Sequence, residues 1–239
     1  ESTRALIGFS PQQPSLYADL SARENIEHFA AMFGVLTTTG KSKASQLLKL
    51  VGLDQQADQI VQSMSIGQKK RLDIACAMVS DPKIVFIDDP AGELDPNQQH
   101  ALWQLLRDIA DKGTTVVVAS NFLADLESLC DRIGILRNGR ITEIGKPDDL
   151  RVIYSHDFEV HLKTERQSYP ALITMLMQDP QSGAKKITKQ GTSLLVQTPN
   201  PQLTLRVLLT AIEKQNDSIV SVEVMRPTIQ EVFESLSGK

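Results

Sequence analysis

The stretch from Met64 to Asp95, MSIGQKKRLDIACAMVSDPKIVFIDDPAGELD, constrains the fold of this chain more than any other. Its apolar run Ile84-Val85-Phe86-Ile87 ends in two adjacent carboxylates, Asp88 and Asp89. A short, continuously apolar run between turn signals is the pattern of a strand buried on both faces, as in parallel sheets. Such a strand delivers its terminal acids to the carboxyl edge of the sheet, where open α/β sheets bind ligands. Ahead of it, Ser65 to Gln68 reads as a turn opening a helix, and Ser80-Asp81-Pro82 as the break between helix and strand.

The flanking segments extend the α/β pattern. Arg4 to Phe9 reads as a strand running into SPQQPSLYADL, whose two prolines enforce an irregular loop. Ser21 caps a helix, Glu24 completes a capping box, and Ile26, Phe29, Ala30 and Phe33 form its apolar face. The segment GVLTTTGKS, Gly34 to Ser42, imitates a phosphate-binding loop. That loop needs four residues between its glycines and a strand before it. Here five residues separate Gly34 from Gly40, and a helix precedes them. The expectation is helix-loop-helix, with Gly34 as a C-cap and Lys41-Ser42 ahead of a helix ending near Val51. No other segment offers a phosphate loop.

After Asp95, a helix is expected from Asn97 to Asp111, then a second buried strand, Thr114 to Ala119, tipped by Ser120-Asn121. Leu123 to Cys130 reads as a helix, and CDRIGILRNGRITEIG as a hairpin turning at Asn138-Gly139. Past about Val152 the order strand-helix-strand-strand-helix-strand, with a last helix over TIQEVFESL, is ferredoxin-like.

Five ordered segments together resemble the ATP-binding-cassette (ABC) ATPases. IGFSPQQPSLYADLSARENI resembles their Q-loop, and Met64-Ser65-Ile66-Gly67-Gln68 their Leu-Ser-Gly-Gly-Gln signature. IVFIDD resembles the Walker B strand, PAGELDP the D-loop, and the closing KPDDL the end of the ATPase domain. VEVMRPTIQEVFESLSGK, with Pro227 and Phe233, resembles the C-terminal extension of export-type members. The resemblance implies a P-loop-type α/β domain over residues 1–151, with a helical subdomain at about 21–80. A ferredoxin-like extension over 152–239 follows. It also implies that the P-loop and first strands would lie upstream of Glu1.

The resemblance assigns roles residue by residue. Asp88 would hold Mg²⁺ with Gln12 beside it, and Asp89 would orient the attacking water. Ser65, Gly67 and Gln68 would meet ATP held by a facing subunit, with Asp95 as the D-loop aspartate. Asn121 stands at the switch position. Three departures touch the chemistry. Ile66 replaces a glycine, which would remove access to positive φ. Asp89 replaces the usual glutamate and is shorter by about 1.5 Å. Asn121 replaces a histidine and cannot carry its charge. Lys69, Lys70 and Arg71 are expected to add favourable charge near the signature turn.

The function implied is the ATP-binding subunit of an exporter, pairing with a second ABC ATPase domain and an integral membrane permease at the cytoplasmic face. The alternative is a weakly hydrolytic or pseudo-ATPase partner that lends its signature loop to an intact subunit. A non-transport ABC protein acting on ribosomes is a weaker third reading. A net charge of −4 without a basic tail gives no reason to expect nucleic acid. No apolar run approaches the ~18 residues of a membrane span. Cys76 and Cys130, isolated among apolar residues, read as packed thiols of a reducing compartment.

Overall fold

Three apolar runs pair as the first sheet, in the order β1 (Ile7–Ser10), β2 (Ile84–Asp88), β3 (Thr115–Ala119), all parallel. The computed structural model describes residues 3–121, 123–154 and 157–226. The last expected helix, with Pro227 and Phe233, lies outside the described residues. Residues 4–6, expected in the first strand, instead belong to a 3-10 turn, Thr3–Leu6, ahead of β1. Register places Gly8 beside Val85 and Val116, and Ser10 beside Ile87 and Val118. Those of β1 and β2 are buried. The opposite face carries Ile7, Phe9, Phe86 and Val117, all exposed. All three strands end at the same edge, so the loop after β1, the residues after β2 and the tip of β3 emerge together.

Helices α1 (Ala22–Met32), α2 (Thr37–Leu50) and α3 (Ile66–Ala77) pack on one another, and α3 also packs on β1. Ile26, Leu48, Leu72 and Ile74 are fully buried, the apolar stripes that helix periodicity requires, and Leu53 just beyond α2 is buried with them. The Ser21–Glu24 capping box is present at the start of α1, as expected. Gly34 follows the C-cap of α1 with φ 76°, a conformation that suits glycine. A further expectation fails here: α2 starts at Thr37, so Gly40, Lys41 and Ser42 lie inside the helix rather than ahead of it. Their amides are engaged in the helix, which removes any phosphate-loop reading of this segment.

Helix α4 (Pro96–Asp111) joins β2 to β3 and buries Leu102, Trp103, Leu105, Leu106 and Ile109. The unit closes at residue 122, and a second compact unit spans 123–239. The second unit opens with α5 (Leu123–Leu129), the hairpin β4 (Ile133–Arg137) and β5 (Arg140–Gly145), then α6 (Pro147–Tyr154). Asn138 and Gly139 both have positive φ, the primed turn that an Asn-Gly pair favours in two-residue hairpins. Then come β6 (Phe158–Thr164), α7 (Pro170–Gln178), β7 (Lys186–Gln190), β8 (Ser193–Thr198), α8 (Pro201–Lys214) and β9 (Ile219–Met225).

These last strands form an antiparallel sheet in the order β7-β8-β6-β9. That arrangement, with the two helices, is the ferredoxin-like split βαβ. Val160, Leu162, Leu194 and Val196 from the sheet pack with Leu172, Leu176, Leu208 and Ile212 from the helices. Among the described residues no helix is long and apolar enough to cross a membrane.

Candidate functional site

The carboxyl edge of the β1–β2–β3 sheet collects the residues that the sequence singles out. Asp88 is the last residue of β2, with an exposed carboxylate. Asp89 follows at φ 38°, in the left-handed region that a non-glycine residue rarely occupies. Its N–H donates to the Ala119 carbonyl at 2.8 Å, which turns the chain at the strand end. Gln12, 77 positions earlier, donates its side-chain amide to Asp89 Oδ2 at 3.2 Å. The other carboxylate oxygen, Oδ1, is buried with no hydrogen-bond partner. An unsatisfied buried acceptor calls for a partner, and at the carboxyl edge of a parallel sheet a bound ligand or water can supply it. Asn121 is exposed, two residues beyond Ala119, the register partner of Asp88.

The second group sits at the start of α3. Ser65 is its N-cap: the hydroxyl accepts from Gln68 N–H at 3.2 Å, and Gln68 Oε1 accepts from Ser65 N–H at 2.9 Å. This reciprocal box fixes both side chains and leaves free N–H groups of the first turn pointing outward, an anion-favouring end. Ile66 is the first helical residue, so it needs no positive φ. The conformational objection to it therefore falls. What remains is a branched apolar side chain, 54% exposed, at the helix mouth. A Cβ built at Gly67 would lie 2.9 Å from Gln98 Oε1, the far end of a flexible side chain that would have to shift.

The first turn of α4, which holds Gln98, therefore lies close to the signature turn. Asp95 is the N-cap of α4, and its Oδ1 accepts from the N–H groups of Asn97 and Gln98, both at 3.0 Å. Pro96 at the first helical position suits the missing donor.

The basic run behind the signature does not act as expected. Lys70 is buried and donates to the carbonyls of Pro11, Gln12 and Asp88. Arg71 donates to the carbonyls of Val51 and Gly52 at 3.0 and 3.4 Å, closing the C-terminus of α2. Burial lowers the pKa of both groups. Lys69 lies closer to the surface and reaches the Gln62 carbonyl at 3.4 Å. Sequence reasoning also missed Asp73, which is buried and accepts from Ser10 and Ser15. Its burial raises the carboxyl pKa, opposed by those serine bonds. An acid on the apolar side of a predicted helix was the available signal.

Comparison with known proteins gives this geometry a family. Residues 1–92 match the model of the ABC transporter family. The chain is 28% identical over 237 residues to a Nod factor export ATP-binding protein I of Ralstonia nicotianae, covering 99% of this chain and 72% of the relative. It is 25% identical over 233 residues to the linearmycin resistance ATP-binding protein LnrL of Bacillus subtilis, covering 98% and 75%. Among solved structures it resembles cbiO1 of Clostridium perfringens, part of the ABC transporter complex cbiONQ. There the TM-score is 0.57 and the identity 26%, over 62% of this chain and 60% of that one. An ATP-binding subunit of an ABC transporter gives a TM-score of 0.55 at 29% identity, over 63% of each chain. The chain thus spans about three fifths of the solved chains it matches. Parallel sheet, strand-end carboxylates and capped signature turn agree with these matches: residues 1–92 carry the ABC transporter family match, and nearly the whole chain is similar to ATP-binding proteins of export and resistance systems.

Proposed function

We propose that this chain is part of an ATP-driven export system, in which nucleotide is held between two ABC ATPase domains. The observation that carries the reading is the convergence of Gln12 and Asp89 at 3.2 Å beside Asp88. The donors suit magnesium: a hard cation is held by one or two carboxylates and completes its shell with phosphate and water. Asp88 and Gln12 would hold that ion. Asp89, with Oδ1 lacking a partner, would accept a proton from a water and orient it. Asn121 would hydrogen-bond a phosphate oxygen. The bound nucleotide supplies the phosphoryl group that is transferred.

No Gly-x₄-Gly-Lys-Ser/Thr cradle occurs in the 239 residues. What the chain offers to phosphates is the capped N-terminus of α3, turned to a nucleotide held by a second domain, with Asp95 shaping the α4 end beside it. A membrane permease is the partner whose docking the exposed Tyr17, Met32, Phe33 and Leu36 would serve, placing the protein at the cytoplasmic face of a membrane. We read the ATPase domain as continuing to residue 151 and the extension as beginning at 152.

Aspartate in place of glutamate favours a second form of the reading, a weakly hydrolytic subunit paired with a fully active one. ATP turnover by the full-length protein, alone and with membrane subunits, tests both. Turnover abolished by Asp88→Asn supports the hydrolytic form. Turnover only in the presence of a second, intact ATPase subunit supports the paired form. Absence of nucleotide binding in either setting refutes the proposal.

A further inference from the structure

Lys70 lies in the second turn of α3 and is only 4% exposed, although it belongs to a Lys-Lys-Arg run. A lysine ammonium has three protons and no acceptor capacity. Here it donates to three main-chain carbonyls, Pro11 O at 2.6 Å, Gln12 O at 3.2 Å and Asp88 O at 3.1 Å. One cation therefore joins the loop that carries Gln12, the end of β2, and the helix whose first turn is the Ser65–Gln68 box. Asp73, Asp88, Asp89 and Glu93 surround it and favour its charged form against the cost of burial.

One turn further along α3, Asp73 is 2% exposed. It accepts from the Ser10 hydroxyl, from Ser15 N–H at 2.9 Å and from the Ser15 hydroxyl at 3.3 Å. The segment 10–15 is thus held by one helix face, its middle by Lys70 and its ends by Asp73. Lys70 grips backbone alone, so it fixes the peptides of Gln12 and Asp88 whatever their side chains do.

The geometry points to Lys70 and Asp73 as positioning residues that make the α3 N-terminus and the Gln12–Asp88–Asp89 cluster move as one body. A shift of α3 on meeting a facing subunit is carried to Gln12 and Asp88, because a buried ammonium that lets go of a carbonyl leaves both groups unpaired out of water. This inference rests on the reading of Asp88 and Asp89 as carboxylates of a nucleotide site. It adds a route by which the signature turn, which serves one nucleotide, adjusts the cluster that serves another.

The test uses Lys70→Met, which keeps most of the stem and removes the donors, and Asp73→Asn, which keeps the shape and removes the charge. Amide hydrogen exchange over residues 10–16 and 86–92 is measured in the full-length protein, with ATP turnover alongside. Lys70→Met should speed exchange in both segments and lower kcat by about 10–100-fold, as expected for misplacement near 1 Å, with KM nearly unchanged. Asp73→Asn should speed exchange over 10–16 and leave 86–92 as it was. Unchanged exchange in both variants, or a raised KM at constant kcat, overturns the inference. If Lys70→Met does not fold, Asp73→Asn decides by the same exchange criterion. A wild-type protein that binds no nucleotide refutes the proposed function instead, and the exchange result still judges the clamp.

Discussion

Substituting Gly92 by alanine pushes directly on the carboxylate at the centre of the site. A Cβ built at Gly92 lies 2.7 Å from Asp89 Oδ2, 3.2 Å from its Cγ and 3.3 Å from Oδ1. Non-bonded contact becomes ordinary at 3.4 Å. The carboxylate must therefore retreat by about 0.7 Å or accept steep repulsion. It has little room to do so, since Oδ2 already holds Gln12 at 3.2 Å, the outer end of the N–H···O range. The Asp89 backbone, at φ 38°, sits in a narrow well and cannot swing freely to compensate. Gly92 itself is exposed and outside the left-handed region, so its own backbone tolerates a side chain. With Asp89 orienting the water, a displacement approaching 1 Å should lower kcat by about 10–100-fold. That is about 1.4–2.7 kcal/mol of barrier. KM should stay within about twofold and unfolding free energy within about 0.5 kcal/mol. Steady-state turnover and urea denaturation of Gly92→Ala in the full-length protein measure both. Turnover kept near wild type by a folded variant would refute the role given to Asp89.

Three further outcomes follow from the geometry of the first unit. Gly8→Ala would set a methyl 2.4 Å from the Ala77 carbonyl oxygen, which is backbone and cannot step aside; overpacking of this kind costs about 1–3 kcal/mol, and an unshifted urea midpoint would contradict it. Glu24 is held below its usual 4.5 by the Ser21 N–H, so its contribution is present above pH 4.5 and lost as pH falls through the lowered value. Urea midpoints of wild type and Glu24→Gln should accordingly differ at pH 6 and converge in acid; a constant gap would show that the charge is irrelevant. Asp89→Glu extends the side chain by about 1.5 Å and should raise turnover where aspartate falls short of its water; unchanged turnover would mean that aspartate already reaches.

The legible part of this protein is the part written in local physics. The apolar run 84–87 and its acids, the Ser21–Glu24 capping box, the helix-opening turn at Ser65 and the Asn138-Gly139 turn each depend on a few neighbouring residues, and each appears where its chemistry demands. The order of strands and helices in the second unit was likewise readable from alternating patterns. Helix α2 starts at Thr37 rather than beyond Ser42, because packing against α1 and α3 overrides the weak helix propensity of three threonines and a glycine. The burial of Lys70 was invisible for a different reason. Its acceptors are main-chain carbonyls at positions 11, 12 and 88, and no side-chain pattern announces a backbone carbonyl. The turn of Asp89 into positive φ is set by the hydrogen bond from its N–H to Ala119, a partner supplied by the neighbouring strand. Ile66 looked costly against a glycine pattern, yet a helical first position asks nothing of glycine.

The uncovered side of the three-stranded sheet bears on how the chain behaves during synthesis. Phe9, Phe86 and Val117 stand in one cross-strand row at 60%, 39% and 41% exposure, with Ile7 beside them. Apolar surface gathered on a flat β face drives self-association and is what chaperones grip on nascent polypeptides. Expressed as these 239 residues, the chain should therefore depend on folding assistance and bind hydrophobic dyes when purified. Its yield would then report how well that face is shielded, before any nucleotide is added.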